Sequence, residues 1–151
     1  MSQNDETQQA SPWQQAKLLN RYYRRVGMAA AGQGACPRFE TFKAGYDPDF
    51  EGPVEDGRPV LNDIPMTLKE VKNPFYEGTV AVDWSEGAVL CVCEIPKGAV
   101  SVPHKFNVVG VYDQDGGLVA AAATLTDWLT PDELDRSYLS VTFPMEDEEE
   151  D

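Results

Sequence analysis

Histidine is almost missing from this chain: His104 stands alone among 151 residues. Acid–base and nucleophilic catalysis draw on constellations of groups, and a single imidazole with no placeable nucleophile or orienting partner supplies none. Positive charge is scarce as well, with 12 Lys and Arg against 26 Asp and Glu, for a formal net charge of −14. Nucleic-acid binders need a basic footprint to displace counterions, and an anionic membrane surface would repel this chain, so neither is expected as a partner. The three cysteines, Cys36, Cys91 and Cys93, form no disulfide-like pattern. Their odd number points to reduced thiols and folding in a cytoplasm. No apolar run reaches the ~18 residues of a membrane span, and no charged start with an apolar segment marks a signal peptide. P-loop, nucleophile-elbow and dinucleotide fingerprints are missing too. The expectation is therefore a protein that is not an enzyme and has no cofactor.

What is present is a globular middle. Apolar residues make up 42% of the chain, with three Trp, six Tyr and six Phe, enough for one domain with a sizeable core. The 12 Gly and 11 Pro are more punctuation than a helical bundle tolerates and suit short strands joined by turns. Six acids, Glu146, Asp147, Glu148, Glu149, Glu150 and Asp151, crowd the end; removing them from the total of −14 leaves −8, so the body is acidic too. The pattern divides the chain into a flexible arm (1–10), a single helix-plus-β domain (11–144) and a disordered acidic tail (145–151).

Along the chain, Ser11 and Pro12 signal a helix start, and Trp13, Ala16, Leu19, Tyr23 and Val26 recur at helical spacing. Arg21, Arg24 and Arg25 then fall towards the helix C-terminus, and Gly32 and Gly34 favour a stop. Residues 38–44 read as a weak strand, and 45–65, with four prolines, as a long loop that can order on a neighbouring subunit. Residues 66–71 read as a short helix or strand. Strands are expected over 79–84, with Val80, Val82 and Trp84 on one face, and over 88–95, buried on nearly both faces. A hairpin follows: 106–112, with Phe106, Val108, Gly110 and Tyr112 on one face, a turn at 113–117, then 118–125. Thr130 to Glu133 has capping-box spacing and starts a short helix or turn, and a last strand covers 138–143. The fold class is mainly β (α+β): an N-terminal helix packed on a small antiparallel β-sandwich or sheet.

Candidate chemical sites each have a plainer reading. Cys91 and Cys93, two apart on one strand face, have only Cys36 and His104 to complete a zinc site, and their spacing is not that of a zinc turn, so inert buried thiols are the expectation. Asp113-Gln114-Asp115-Gly116 opens like a calcium loop, but the twelfth position is Thr124 instead of Glu, so it reads as a hairpin turn. No metal site is expected. Trp13 and Trp84 sit at expected core positions.

The segment running from the strand that ends in Ile95 and Pro96, through Phe106-Asn107-Val108-Val109-Gly110-Val111-Tyr112-Asp113 and the Asp115-Gly116 turn, to Leu118-Val119-Ala120 resembles a known family. It is similar to the N-terminal, baseplate-attaching domain of tail-fibre (tail-collar fibre) proteins of contractile-tailed phages. The upstream order is similar too: a helix, then Phe39 to Asp47 where the family has a short strand ending in Ala-Val-Gly-Asp. The resemblance spans about residues 16–126. The family continues into a trimeric shaft, which is not seen here, and its Gly-Asp-Gly is altered. The resemblance implies an attachment module without the fibre: a non-catalytic structural adaptor, built into a virion in the host cytoplasm, with other tail or baseplate proteins as partners. A homo-oligomer stays open. Aromatic residues and Arg are enriched at interface hot spots, which makes Trp13, Tyr22, Tyr23, Arg24 and Arg25 the contact candidates. The competing reading is a stand-alone β-domain binding a small ligand such as carbohydrate, with Trp84, Trp128, Tyr112 and Tyr138 as stacking platforms.

Overall fold

The structure, a computed structural model, describes residues 13–146. The expected arm at 1–10, the Ser11 and Pro12 helix signal, the Trp13 side chain and residues 147–151 of the acidic run lie outside the described residues. The strands are β1 (Trp13–Gln15), β2 (Lys17–Leu18), β3 (Thr41–Gly45), β4 (Glu51–Glu55), β5 (Arg58–Leu61), β6 (Tyr76–Thr79), β7 (Ala81–Ser85), β8 (Ala88–Ile95), β9 (His104–Tyr112), β10 (Leu118–Leu129) and β11 (Asp135–Thr142). One helix, α1, covers Asn20–Ala30. The protein is mainly β.

Two sheets carry the fold. One has the order β1-β11-β8-β7 and the other β2-β10-β9-β3-β6; β4 and β5 form a separate hairpin. All described pairings are antiparallel except β1 with β11. Cys91, Cys93, Ile95, Leu139 and Val141 of the first sheet meet Phe42, Ala44, Val109, Val111, Ala120 and Ala122 of the second, which makes a sandwich core. Both sides are closed by strands that change sheets. β1 passes through buried Ala16 into β2, and β6 passes through buried Val80 into β7.

The second sheet is covered on its other face as well. Val108 and Tyr112 of β9 and Leu118 and Ala121 of β10 pack there against Leu19, Phe50, Ile64 and Val71 from the connections. The segment 46–75 is thus a strap over the sheet. Buried Asn107 holds it, accepting from Asp47 N–H (2.8 Å) and donating to Asp47 C=O (2.9 Å), as a backbone neighbour would. Asp47 in turn caps the 3₁₀ turn Pro48–Phe50 through Asp49 N–H (3.0 Å). At the far end of the strap, Tyr112 Oη accepts from Val71 N–H (3.1 Å).

Several expectations change. The helix starts at Asn20, not near Ser11, because the backbone before it is committed to sheets. Ala16 N–H donates to Ser140 C=O (2.8 Å) and Leu19 N–H to Val119 C=O (2.9 Å). Sheet pairing overrides the local helical spacing, and Tyr23, expected on the packed face, is exposed. The three arginines accordingly fall in the first half of the helix. The expected stop holds: Gln33 N–H reaches Met28 C=O (2.7 Å), Gly32 N–H reaches Ala29 C=O (3.0 Å), and Gly32 has φ +78°, a Schellman ending.

The expected loop at 45–65 contains the β4–β5 hairpin, turned by Asp56 (φ 52°) and Gly57 (φ 75°). That Asp-Gly pair between Val54 and Val60 is a strong hairpin signal in the sequence. Residues 66–71 are neither helix nor strand but turns of the strap. The strand expected over 79–84 is two strands bent at Val80, and Val82 and Trp84 are half exposed. β8 is fully buried on one face only. β10 runs on to Leu129, and the last strand begins at Asp135. Register shifts between Ala123 and Asp127 exchange the sides of the hairpin there, so Phe106 joins the sandwich core while Val108 and Tyr112 face the strap. Thr130 N–H donates to the Glu133 carboxylate (3.0 Å), and the segment is a turn, one of the two forms expected.

Candidate functional site

The helix lies across the pole of the sandwich where the β7–β8 and β9–β10 turns sit. It has no fully buried residue, so apolar contact alone does not fix it. A charged anchor does. Asp113, at the start of the β9–β10 turn, has no exposed side-chain surface. Its carboxylate accepts from Arg21 Nε (2.8 Å), from Arg25 (3.5 Å), and from the backbone N–H groups of Asp115 (2.9 Å) and Gly117 (3.0 Å). Arg25 also pairs with Asp115 (2.6 Å). Burial by itself would raise the Asp113 pKa, but the Arg21 hydrogen bond and the two backbone N–H groups outweigh it and hold the carboxyl below its usual range. A Cβ on Gly117 would stand 2.0 Å from Arg21 Nε, so the arginine's approach requires a glycine. The apparent calcium-loop acid is therefore spent on holding the helix.

This anchor presents aromatic rings at the pole. Tyr22 meets Phe39 (centroids 5.9 Å apart), Phe143 (6.2 Å, stacked) and Tyr23 (5.7 Å, edge-on), and Phe143 meets Trp84 (6.2 Å). Phe39 and Phe143 pack on the sandwich core, so the cluster extends the core to the surface. Its ends are open: Tyr23 is 53% exposed and Trp84 51%. Burial raises the Tyr22 pKa, with nearby Cys36 and Tyr23 adding to it, so the ring stays neutral. Exposed Val82 shares the Trp84 side of β7, and exposed Met145 follows Phe143. Around this apolar strip Asp83, Glu86 and Glu146 are exposed, and no cation pairs with them among the described residues. Isolated exposed apolar residues are ordinary, whereas this strip is a contiguous aromatic patch continuous with the core.

Compared with protein-family models, curated proteins and solved structures, the chain matches none. The site is therefore read from its geometry alone.

Of the sequence candidates, Tyr22 and Tyr23 are brought together in the patch. Arg25 is consumed by the anchor. Arg24 lies on the opposite side of the helix, about 200° round from Tyr22, where it lines a cleft of about 390 Å³ with Arg21, Met66 and Lys69. Trp84, expected in the core, is instead the outer end of the patch. The four rings proposed for ligand stacking do not converge. Tyr112 is buried under the strap, Tyr138 meets Arg136 on the outer side of β11, and Trp128 stands beside Lys105 at the far end of β10. Cys91 and Cys93 face the core, Cys36 is exposed near Tyr22, and His104 stacks on Phe75 (4.8 Å). Among the described residues no three His, Cys, Asp or Glu are placed to hold a metal. Phe39 and Phe143 were not singled out by sequence reasoning. They come from segments about a hundred residues apart, one before β3 in the second sheet and one after β11 in the first, and only the packing of the two sheets against each other brings them together with Tyr22 at this pole.

Proposed function

We propose that the protein is a non-catalytic attachment module that docks to a larger assembly through the patch of Tyr22, Tyr23, Phe39, Trp84 and Phe143. The half-exposed Trp84 and Tyr23, continuous with the core, carry this reading, since buried-to-exposed aromatic clusters are the usual anchors of protein interfaces. The resemblance of the 88–125 region to the baseplate-attaching domain of tail fibres makes a contractile phage tail the proposed assembly, with tail or baseplate proteins as partners and the virion as location. In this reading the acidic tail keeps the module soluble before assembly. The ligand-binding alternative loses support because its four rings lie apart.

The test is affinity capture from cells carrying the surrounding gene cluster, followed by mass spectrometry. Wild type should retain tail or baseplate proteins, and the Tyr23→Ala/Trp84→Ala double variant should lose them while keeping its thermal midpoint. Recovery of wild type as a clean monomer, or equal capture by the variant, would overturn the proposal.

A further inference from the structure

The open edge of β7 lies beside the same patch. β7 ends the first sheet, all five of its residues are exposed, and its register with β8 is unbroken from Ala81 opposite Val92 to Ser85 opposite Ala88. It has no proline, lysine or bulge, and its one charged residue is Asp83. The turn to β8 is two residues, Glu86 and Gly87, both with positive φ. A two-residue hairpin turn makes the flanking Ser85–Ala88 pair the hydrogen-bonded one, and the pairs then alternate. Trp84 and Val82, opposite Val89 and Cys91, therefore aim their N–H and C=O groups away from β8. Among the described residues the Trp84 N–H is held only by the neighbouring Asp83 side chain (2.9 Å), a local bond that an incoming strand can replace. The side chains alternate as well. Val82 and Trp84 lie on the apolar side, while Asp83 points to the other. Glu86 lies at the turn, and Glu146, the first of six consecutive acids, leaves the patch three residues after Phe143.

Resting on the attachment reading, we infer that the partner docks here as an extended segment added to the β7 edge, alternating apolar and basic side chains. Its apolar residues lie over Val82 and Trp84, and its Lys or Arg residues meet Asp83, Glu86 and Glu146. Main-chain hydrogen bonds to Val82 and Trp84 supply the extended geometry, and the carboxylates of Asp83, Glu86 and Glu146, which meet no cation among the described residues, supply the charge preference. A second copy of this chain is disfavoured as occupant by its own charge of −14.

The probe is a labelled heptapeptide of alternating Lys and Val, titrated against the full chain by fluorescence anisotropy. Two controls replace its lysines with Glu or its central valine with Pro. The Lys/Val peptide should bind, with affinity falling at high salt and falling at least about tenfold in Trp84→Ala. Asp83→Asn should weaken it several-fold, Trp84→Phe should restore most of the loss from Trp84→Ala, and hydrogen exchange should slow at Val82 and Trp84. The Glu and Pro controls should not bind. Equal binding of all three peptides, no binding of the Lys/Val peptide, or a concentration-dependent dimer abolished by Trp84→Ala would overturn this inference. If capture of assembly proteins still depends on Tyr23 and Trp84 in those cases, the attachment reading stands; if it does not, both fall.

Discussion

Asp113 is ionised with its side chain fully covered, and the cost is offset by donors from four residues. Replacing it with Ala leaves Arg21, Arg25 and two backbone N–H groups short of an acceptor, which should cost about 2–4 kcal/mol. Because its folded pKa is held below the usual 3.8, its contribution is whole above that value and is lost as pH falls through the lower folded one. The difference in urea midpoint between wild type and Asp113→Ala should therefore be constant at neutral pH and shrink only below about pH 4. The thiols make a second residue-scale prediction. Burial pushes Cys91 up to about 11 and Cys93 up to about 12, with Cys91 adding to the latter, whereas Cys36 is exposed. A thiol reagent at neutral pH should label one cysteine per native chain, at Cys36, and three after denaturation. Fast labelling of three in native protein would contradict the packing.

At the scale of elements, the strap is the part least secured by regular structure. It has no long strand, and its entry depends on Asn107 imitating a backbone partner for Asp47. Asn107→Leu keeps the volume but leaves the Asp47 N–H and C=O buried without partners, a loss of about 1–3 kcal/mol. Native-state hydrogen exchange should then rise across 46–75 before it rises in β8 or β11, because the sandwich core does not pass through the strap. Equal acceleration in both would mean that strap and sandwich unfold as one unit. The helix end is simpler: Gly32→Val forces a β-branched residue to φ +78° and should lower stability by about 1–2 kcal/mol, read from the denaturant midpoint.

For the whole molecule, closure at the two sides depends on short crossings at Ala16 and Val80. Val80 is 6% exposed, and a charge there has no partner, so Val80→Asp should destabilise by more than about 3 kcal/mol and abolish a cooperative melt. Trp84→Ala, four residues further along the same crossing strand, should change stability by under about 1 kcal/mol because its ring is half in water. The contrast in thermal midpoint between these two variants separates the residue that closes the fold from the one that faces a partner. If Trp84→Ala unfolds the protein, the patch is core and the docking surface is lost with it.

The sequence by itself determined what depends on neighbours along the chain. β8 shows in its continuous apolar run, β11 in its apolar alternation, the β9–β10 hairpin in the Asp-Gly turn between apolar runs, and the helix stop in Gly32. The β4–β5 hairpin was legible too, in Asp56 and Gly57, although the prolines around them suggested a loop. Tertiary structure alone decided the rest. Residues 13–18 have helical spacing, yet their backbone is paired to β11 and β10, partners more than a hundred positions away. Trp84 reads as core from its alternation with Val80, but alternation tells only which side of a strand a residue takes, not whether the opposing sheet extends far enough to cover it. The second sheet does not cover β7, so the same pattern that buries Val80 leaves Trp84 in water, beside rings that the fold gathers from α1, the segment before β3 and the end of β11.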